Sequence, residues 1–225
     1  MLKIGHRGAR GYAAENTLAS FQKAIDMNVD GIELDVHLSA DDELMVIHDE
    51  TIDRTTNGKG LVNSFSRAEL QNFSIEGDKK IPTLEEVFNL VNKQCLINIE
   101  LKSFETTAKV VLIIEKYIKE NNWNYTDFLV SSFNWDALEE INFIDSKILI
   151  AILTEEDLEK ALAFAKIIQA KSINPDFQLL NQENTKKLQD NGFEVFPWTV
   201  NDAADIERIK SFNVNGIISD FPDRI

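Results

Sequence analysis

Short apolar runs alternate along the chain with longer segments in which apolar residues recur every three or four positions. The length of these runs and their Ile and Val content are typical of buried strands. The runs are Leu2–Gly5, Gly31–His37, Leu44–His48, Leu96–Leu101, Phe128–Ser132, Ile148–Leu153, Ala170–Asn174, Phe193–Trp198 and Gly216–Ser219.

The segments between the runs predict helices, some of them with recognisable starts. Thr83 stands three residues before Glu86, which is the spacing of a capping box, and apolar residues follow it at helical period. Further helices are expected after Thr154 and after Asn201. Strands that alternate with helices in this way favour a parallel sheet.

The number of runs favours one architecture. Nine runs are one more than a closed eight-stranded barrel needs, but only Ser39–Glu43 separates the second run from the third, which suits a hairpin. If Leu44–His48 folds back antiparallel, an α/β fold of the (β/α)8 TIM-barrel type remains, with one domain over residues 1–225 and a polar insertion at residues 49–80. An open doubly wound sheet is the competing fold, but the chain lacks the glycine-rich loop typical of it.

Composition limits the partners that the protein can have. The formal net charge of −15 argues against nucleic acid and against anionic membranes, and favours a small-molecule substrate. The single cysteine, Cys95, excludes an intrachain disulfide. Because the apolar runs are too short to span a bilayer and no apolar leader opens the chain, we expect a cytoplasmic protein without stable membrane insertion. A homo-oligomer is compatible with the sequence.

Alternating polarity within two runs brings three acidic residues together. Glu33 and Asp35 share the polar side of Gly31–His37, and Glu100 lies on the polar side of Leu96–Lys102. Since the apolar sides must pack on the helices, the polar sides point into the barrel and towards its mouth. Two such charges repel by roughly 4 kcal/mol at about 4 Å, whereas a divalent cation reverses the sign. An all-oxygen ligand set favours Mg²⁺ or Ca²⁺.

Two basic residues are expected beside these carboxylates. Arg7 suits bidentate binding of a phosphate, and Lys102 supplies a point charge. The alternative is a salt-bridged cluster in which both cations merely neutralise the acids and no metal binds. Glu15 is placed to orient Arg7, and Asn16 or Thr17 is expected to cap the following helix.

Histidines follow two of the runs. His6 and His48 form a pair suited to general acid–base catalysis near neutral pH. His37 has the same inward parity, but we interpret it as a partly buried, hydrogen-bonded structural residue. Trp198 either covers an apolar face of a substrate or packs at the barrel rim. Asp220, after the last run, is interpreted as a surface cap.

Ten short motifs, taken in order, make the chain similar to a known family, the glycerophosphodiester phosphodiesterases. Each motif is weak alone, but ten in family order are highly specific. One departure is Ala14, where the family usually has Pro, which loses some loop rigidity. The motifs are His6-Arg7-Gly8, Glu15-Asn16-Thr17, Glu33-Leu34-Asp35-Val36, His48-Asp49, Asp53-Arg54-Thr55-Thr56 with Gly58, Ile81-Pro82-Thr83-Leu84-Glu85-Glu86, Glu100-Leu101-Lys102, Ser132-Phe133, Trp198-Thr199-Val200-Asn201 and Gly216-Ile217-Ile218-Ser219-Asp220.

The resemblance implies a phosphodiesterase barrel and assigns a role to each candidate residue. The implied roles are metal ligands for Glu33, Asp35 and Glu100, an acid–base pair for His6 and His48, phosphate contacts for Arg7 and Lys102, and a place near the glycerol for Trp198. With one Mg²⁺ or Ca²⁺, such an enzyme would hydrolyse glycerophosphocholine or glycerophosphoethanolamine to sn-glycerol 3-phosphate and an alcohol.

Other functions remain open from the residues. One is a phosphodiesterase of the same superfamily that acts on phospholipids, like phospholipases C and D. A different class is a lyase that forms a Schiff base through Lys102. A third is a phosphate-binding module without catalysis. The headgroup, the choice of cation, the role of each histidine and the choice between water and a substrate hydroxyl as nucleophile are not determined by the sequence.

Overall fold

The computed structural model describes all 225 residues, in which strands alternate with helices. The strands are β1 (Leu2–Gly5), β2 (Gly31–Leu38), β3 (Leu44–Val46), β4 (Leu96–Leu101), β5 (Phe128–Ser132), β6 (Ile150–Thr154), β7 (Ser172–Pro175), β8 (Glu194–Val195) and β9 (Gly216–Ser219). The helices are α1 (Leu18–Asp26), α2 (Arg67–Leu70), α3 (Leu84–Val91), α4 (Thr107–Asn121), α5 (Trp135–Ile144), α6 (Leu158–Ile167), α7 (Gln182–Asp190) and α8 (Ala203–Ser211).

Eight strands form a nearly closed parallel barrel, which confirms the predicted TIM-barrel fold. They lie in the order β8-β7-β6-β5-β4-β2-β1-β9. The predicted hairpin is also present, because β3 runs antiparallel to β2 with Val36 opposite Val46. Backbone hydrogen bonds outside any ladder join the β8 segment to β9 and complete the ring: Asn215 to Val195 at 3.1 Å, Ile218 to Pro197 at 3.0 Å and Val200 to Ile218 at 3.0 Å.

The run Phe193–Trp198 is shorter as a strand than its apolar pattern predicts. Only Glu194–Val195 is ladder-paired, as β8. Pro197 cannot donate a ladder hydrogen bond, so regular pairing stops before it. The backbone beyond it is bonded differently, since the Trp198 N–H donates to Pro175 O at 3.1 Å. Trp198 therefore stands past the end of a strand, at the barrel mouth.

Helix starts follow local capping chemistry. Thr83 accepts the Glu86 N–H at 3.2 Å and the Glu86 carboxylate accepts the Thr83 N–H at 2.8 Å, which confirms the capping box. The helix expected after Thr154 begins only at Leu158, because Thr154 closes strand β6 and Asp157 supplies the cap. The helix after Asn201 begins at Ala203, and Asn201 itself bonds elsewhere.

The apolar and polar sides of the strands separate as predicted. Apolar residues such as Leu34 and Ile99 belong to a core of 46 buried residues between the sheet and its helices. Inside the barrel, a smaller cluster that includes Ile4 and Phe196 fills the end towards the strand amino termini. This leaves the carboxyl end of the interior to polar side chains. None of the helices has the length and apolarity needed to cross a membrane.

Residues 49–80 pack beside the barrel mouth rather than in the ring. They contain α2 and a 3₁₀ turn at Val62–Ser64. A cluster of eight buried residues connects this segment to the β2–β3 hairpin and to the loop after β1: Ala14, Met45, Ile47, Ile52, Val62, Leu70, Ile75 and Ile81. The segment is thus held against two of the loops that surround the mouth.

Candidate active site

The turn after β1 places two candidate side chains at the mouth. The backbone of Arg7 has φ +50° and that of Gly8 has φ +82°, so the chain reverses sharply after His6. A Cβ at Gly8 would lie 2.5 Å from the Ser20 Oγ and 2.6 Å from the Ser20 carbonyl carbon. Only glycine fits there, which explains why the His-Arg pair is followed by glycine.

Strand register brings the three carboxylates together. Asp35 on β2 lies opposite Glu100 on β4, and Glu33 lies two residues before Asp35, on the same face. Ligand oxygens of the three side chains lie within 4.8 Å of one another, and Glu33 and Asp35 are buried. This is the arrangement that alternating polarity predicts.

Burial and mutual repulsion disfavour the ionised forms of two of the three carboxylates. Burial, together with the charges of Asp35 and Glu100, raises the pKa of Glu33 well above its ordinary value. Burial and Asp35 raise the pKa of Glu100 to about 7. Asp35 is the exception, because Arg7 and Lys102 outweigh its burial and lower its pKa. Its Oδ1 atom is buried and accepts no hydrogen bond. An all-carboxylate set with an orphaned oxygen fits a hard divalent cation.

Both predicted basic residues contact the carboxylates. The Arg7 backbone N–H donates to Glu33 Oε2 at 2.9 Å, and its Nε lies 3.3 Å from Asp35 Oδ2. The Lys102 Nζ donates to Glu100 Oε1 at 2.7 Å and lies 3.6 Å from Asp35 Oδ1. With all five groups ionised, these three acids and two cations give the cluster a formal charge of −1. The salt-bridged alternative is thus partly realised, but it does not balance the site.

His6 is held by Asp220, for which the sequence predicts only a surface cap. The His6 Nδ1 lies 2.6 Å from Asp220 Oδ1, and the Asn201 amide donates to the other Asp220 oxygen at 2.9 Å. The surface-cap interpretation of Asp220 is wrong, because this carboxylate lies against a buried imidazole. The barrel topology indicates this contact, because β1 and β9 are neighbours, His6 follows β1 and Asp220 follows β9. Burial lowers the pKa of His6, and the Asp220 bond opposes this.

His48 follows the β2–β3 hairpin and lines the same pocket as His6. Its Nδ1 lies 2.7 Å from Asp49 Oδ1. Burial lowers the pKa of His48, against the effect of Asp35. In both His6 and His48 a carboxylate engages Nδ1, which leaves Nε2 as the nitrogen available to a substrate. His37 agrees with its structural interpretation, because its Nε2 lies 3.1 Å from the His48 carbonyl oxygen.

Two residues of the loop after β1, Glu15 and Asn16, form hydrogen bonds with side chains of the cluster. Glu15 accepts Arg7 Nη1 at 2.8 Å, as its predicted orienting role requires. Of the two candidate helix caps, Thr17 caps α1. Asn16 instead donates to Asp35 Oδ2 at 2.8 Å, a contact that sequence spacing did not indicate.

A pocket of about 200 Å³ opens among these side chains. Its charged lining includes Glu33, Glu100, both candidate cations and both candidate histidines, and its apolar lining consists of Phe133, Leu153, Trp198 and Ile218. Trp198 packs edge-on against Phe133 with ring centroids 5.5 Å apart, and its indole N–H donates to the Asn174 carbonyl at 2.7 Å. A wider cavity of about 930 Å³ shares His48 and Lys102 with this pocket. The site can therefore hold a small polar group against an apolar wall, with room beyond it.

Comparison with known proteins agrees with this geometry. The sequence profile of the Glycerophosphoryl diester phosphodiesterase family matches residues 6–224. The chain belongs to that family. A glycerophosphodiester phosphodiesterase of Caldanaerobacter subterraneus subsp. tengcongensis is 38% identical over 237 residues, which cover 100% of this chain and 96% of the relative. Membership assigns the chain to the phosphodiester hydrolases.

Solved structures of the family superimpose on this barrel. A glycerophosphodiester phosphodiesterase from Thermotoga maritima gives a TM-score of 0.84 at 31% identity and covers 99% of this chain and 96% of its own. A phosphodiesterase from Oleispira antarctica, determined in complex with the product sn-glycerol-3-phosphate, gives a TM-score of 0.90 at 25% identity, with 99% and 94% covered. The family resemblance seen in the ten motifs is confirmed.

Proposed function

We propose that this phosphodiesterase hydrolyses glycerophosphodiesters such as glycerophosphocholine and glycerophosphoethanolamine, with one divalent cation, to sn-glycerol 3-phosphate and an alcohol. The observation that carries the proposal is the cluster of Glu33, Asp35 and Glu100, because its Glu33 and Glu100 line one small pocket together with His6 and His48. The product bound to the Oleispira antarctica relative supports the choice of substrate class.

Glu33, Asp35 and Glu100 would hold the cation. Their oxygens, one of them orphaned, match the donors that Mg²⁺ and Ca²⁺ take, and neither thiolate nor imidazole is needed. When bound, the cation would supply Lewis-acid stabilisation of negative charge on a phosphate oxygen. Its two charges would exceed the single uncompensated charge of the cluster, and a phosphodiester monoanion would then bring the site to neutrality.

His6 and His48 would move the protons. Each has its Nδ1 engaged by a carboxylate, so each Nε2 can accept or donate a proton on the pocket side. One imidazole removes the proton of the nucleophile, and the other protonates the leaving alkoxide. The nucleophile is either water or the neighbouring glycerol hydroxyl, and only the second route passes through a cyclic phosphate that phosphorus NMR would detect.

Arg7 and Lys102 would share the negative charge that grows on the phosphate in the transition state. Both already lie against the carboxylates, which fixes their positions before the substrate arrives. Trp198, with Phe133 behind it, would cover the carbon face of the glycerol. Glu15 would hold the Arg7 guanidinium in place from the side away from the pocket.

Two rival functions fit the geometry less well. A Schiff-base lysine needs a lowered pKa, whereas Glu100 and Asp35 outweigh burial and raise the pKa of Lys102. A phosphate-binding module without catalysis would not need two histidines whose Nδ1 atoms are each engaged by a carboxylate. A phospholipid substrate of the phospholipase C or D kind would differ only beyond the pocket, so the substrate panel below includes one.

The test is turnover by the purified protein. Glycerophosphocholine, glycerophosphoethanolamine and lysophosphatidylcholine are each offered with Mg²⁺, with Ca²⁺ and with EDTA. Glycerol 3-phosphate from the first two is measured with a coupled dehydrogenase, and choline or phosphocholine released from lysophosphatidylcholine is measured separately, because its glycerol keeps the acyl chain. We expect turnover of the first two with cation and none with EDTA. Turnover of no glycerophosphodiester under any condition would defeat the proposal, and preference for the lysophospholipid would replace its substrate.

A further inference from the structure

Arg54 belongs to a sequence motif to which no role has yet been given. It lies in the 49–80 segment, two residues after Ile52, which is fully buried in the cluster that joins this segment to the β1 loop and the hairpin. The Arg54 side chain is 45% exposed and reaches back towards the barrel mouth. It does not line the small pocket, so it is not a substrate contact there.

The Arg54 guanidinium bridges two carboxylates with paired hydrogen bonds. Its Nε and Nη2 donate to Asp49 at 2.7 and 2.9 Å. Its Nη1 and Nη2 donate to Glu15 at 2.9 and 2.7 Å. Exposed ion pairs contribute little as a rule, but a bidentate Arg–carboxylate pair within a network of charges contributes more.

Each of these carboxylates holds one functional group of the site. Asp49 engages the Nδ1 of His48, and Glu15 accepts the Nη1 of Arg7. A continuous chain of hydrogen bonds therefore runs from the imidazole on the hairpin side to the guanidinium on the β1 side. Without Arg54, Asp49 would keep His48 as its only hydrogen-bond partner, and the two sides would have no polar link through these residues.

We propose that Arg54 is a positioning residue that fixes the His48–Asp49 pair relative to the Arg7–Glu15 pair, so that one imidazole and one phosphate-binding guanidinium face the same pocket. The proposal rests on the proposed function. Its effect falls mainly on His48, because Arg7 keeps its contacts with Glu15 and Asp35 when Arg54 is removed. A lysine at this position would keep the positive charge but could not form paired hydrogen bonds to both carboxylates.

The kinetic test compares Arg54→Gln with Arg67→Gln. Arg67 is the matched control, since it lies in the same segment, is 43% exposed and pairs only with Glu86. We expect Arg54→Gln to lower kcat by about 10- to 100-fold, the usual effect of losing an orienting partner, with KM changed less than about threefold. Arg54→Lys should recover part of the loss, and Arg67→Gln should behave as wild type. A kcat for Arg54→Gln within about threefold of wild type, or an equal loss in Arg67→Gln, would overturn the proposal.

A double-mutant cycle separates positioning from general damage to the fold. Because Arg54 and Asp49 act on the same imidazole, Arg54→Gln should lower kcat much less in an Asp49→Asn background than in wild type. Additive losses would mean that Arg54 does not act through Asp49, and would overturn the proposal.

Imidazole NMR gives a readout that does not depend on turnover. The chain has only three histidines, so the His48 ring signals can be assigned with His48→Gln. We expect Arg54→Gln to shift or split those signals in the substrate-free protein, and Arg67→Gln to leave them unchanged. If the wild type turns over no glycerophosphodiester but the signals shift, the proposed function fails and the positioning role stands. If they do not shift, the positioning role fails whatever the wild type turns over.

Discussion

Replacing Glu100 with glutamine should stabilise the cation-free protein while it destroys the cation site. Ligand oxygens of the three carboxylates lie within 4.8 Å of one another. Two unit charges at such a separation repel by about 3 kcal/mol at an effective dielectric constant of about 20. Lys102, at 2.7 Å, offsets part of this, but burial and the Asp35 charge still raise the pKa of Glu100 to about 7.

The raised pKa of Glu100 means that its ionisation destabilises the folded protein. A carboxyl with a raised pKa in the folded protein opposes folding increasingly as the pH rises from its ordinary value towards 7, and fully above that. At pH 8, therefore, Glu100→Gln should increase the free energy of unfolding by about 1–3 kcal/mol in EDTA. Catalysis should be lost in the same variant, because the glutamine amide takes one carboxylate away from the proposed cation site.

Urea unfolding at pH 8 measures this directly, in EDTA and in excess Mg²⁺ or Ca²⁺. The wild type should gain stability from the cation by mass action, and Glu100→Gln should gain little. Glu139→Gln, an exposed change on α5, is the control and should match wild type in both buffers. Lower stability of Glu100→Gln than of wild type in EDTA, or equal stabilisation of both proteins by the cation, would contradict this prediction.

Four further substitutions test the rest of the site. Asp220→Asn removes the charged partner of His6 and should lower kcat by about 10- to 100-fold in the coupled assay; a loss below threefold would contradict the orienting role. His6→Ala and His48→Ala should each lower kcat by about two to four orders of magnitude, and near-normal turnover of either would remove that residue from the mechanism. Burial disfavours the charged form of Glu15, but Arg54 and Arg7 outweigh it and lower the pKa of Glu15 to about 2. Ionised Glu15 therefore stabilises the folded protein fully above its ordinary pKa of 4.5, and this stabilisation is lost as the pH falls towards 2. Glu15→Gln should therefore make the free energy of unfolding vary less with pH over that window, by up to about 3 kcal/mol, and an unchanged acid profile would count against the ion pairs.

The barrel and its carboxylates could be predicted because their signals are local. Alternating polarity in Gly31–His37 fixes which side chains face inwards, and the same alternation around Glu100 fixes the neighbouring strand. The short Ser39–Glu43 link removes one run from the ring. These are properties of a few consecutive residues, and the parallel register then brings them together without further information.

Two longer-range links around the histidines could not be predicted in that way. Asp220 reaches His6 only because the ring closes with β9 beside β1, so its role depends on the whole barrel. Arg54 reaches Glu15 only because a separate apolar cluster holds residues 49–80 against the mouth. The end of β8 was missed for a simpler reason, since an apolar run does not reveal whether its backbone is ladder-paired, and Pro197 interrupts pairing here.

The charge of the whole chain does not decide whether an anion can enter the site. Most of the formal charge of −15 is spread over a surface where ions screen interactions beyond about 8 Å at physiological salt. At the carboxylate cluster itself, Arg7 and Lys102 face three acids, so the formal charge is −1, and a divalent cation would make it positive. The same three carboxylates that would repel a phosphodiester thus become its binding site once a cation occupies them, so affinity for cation and affinity for substrate must rise together.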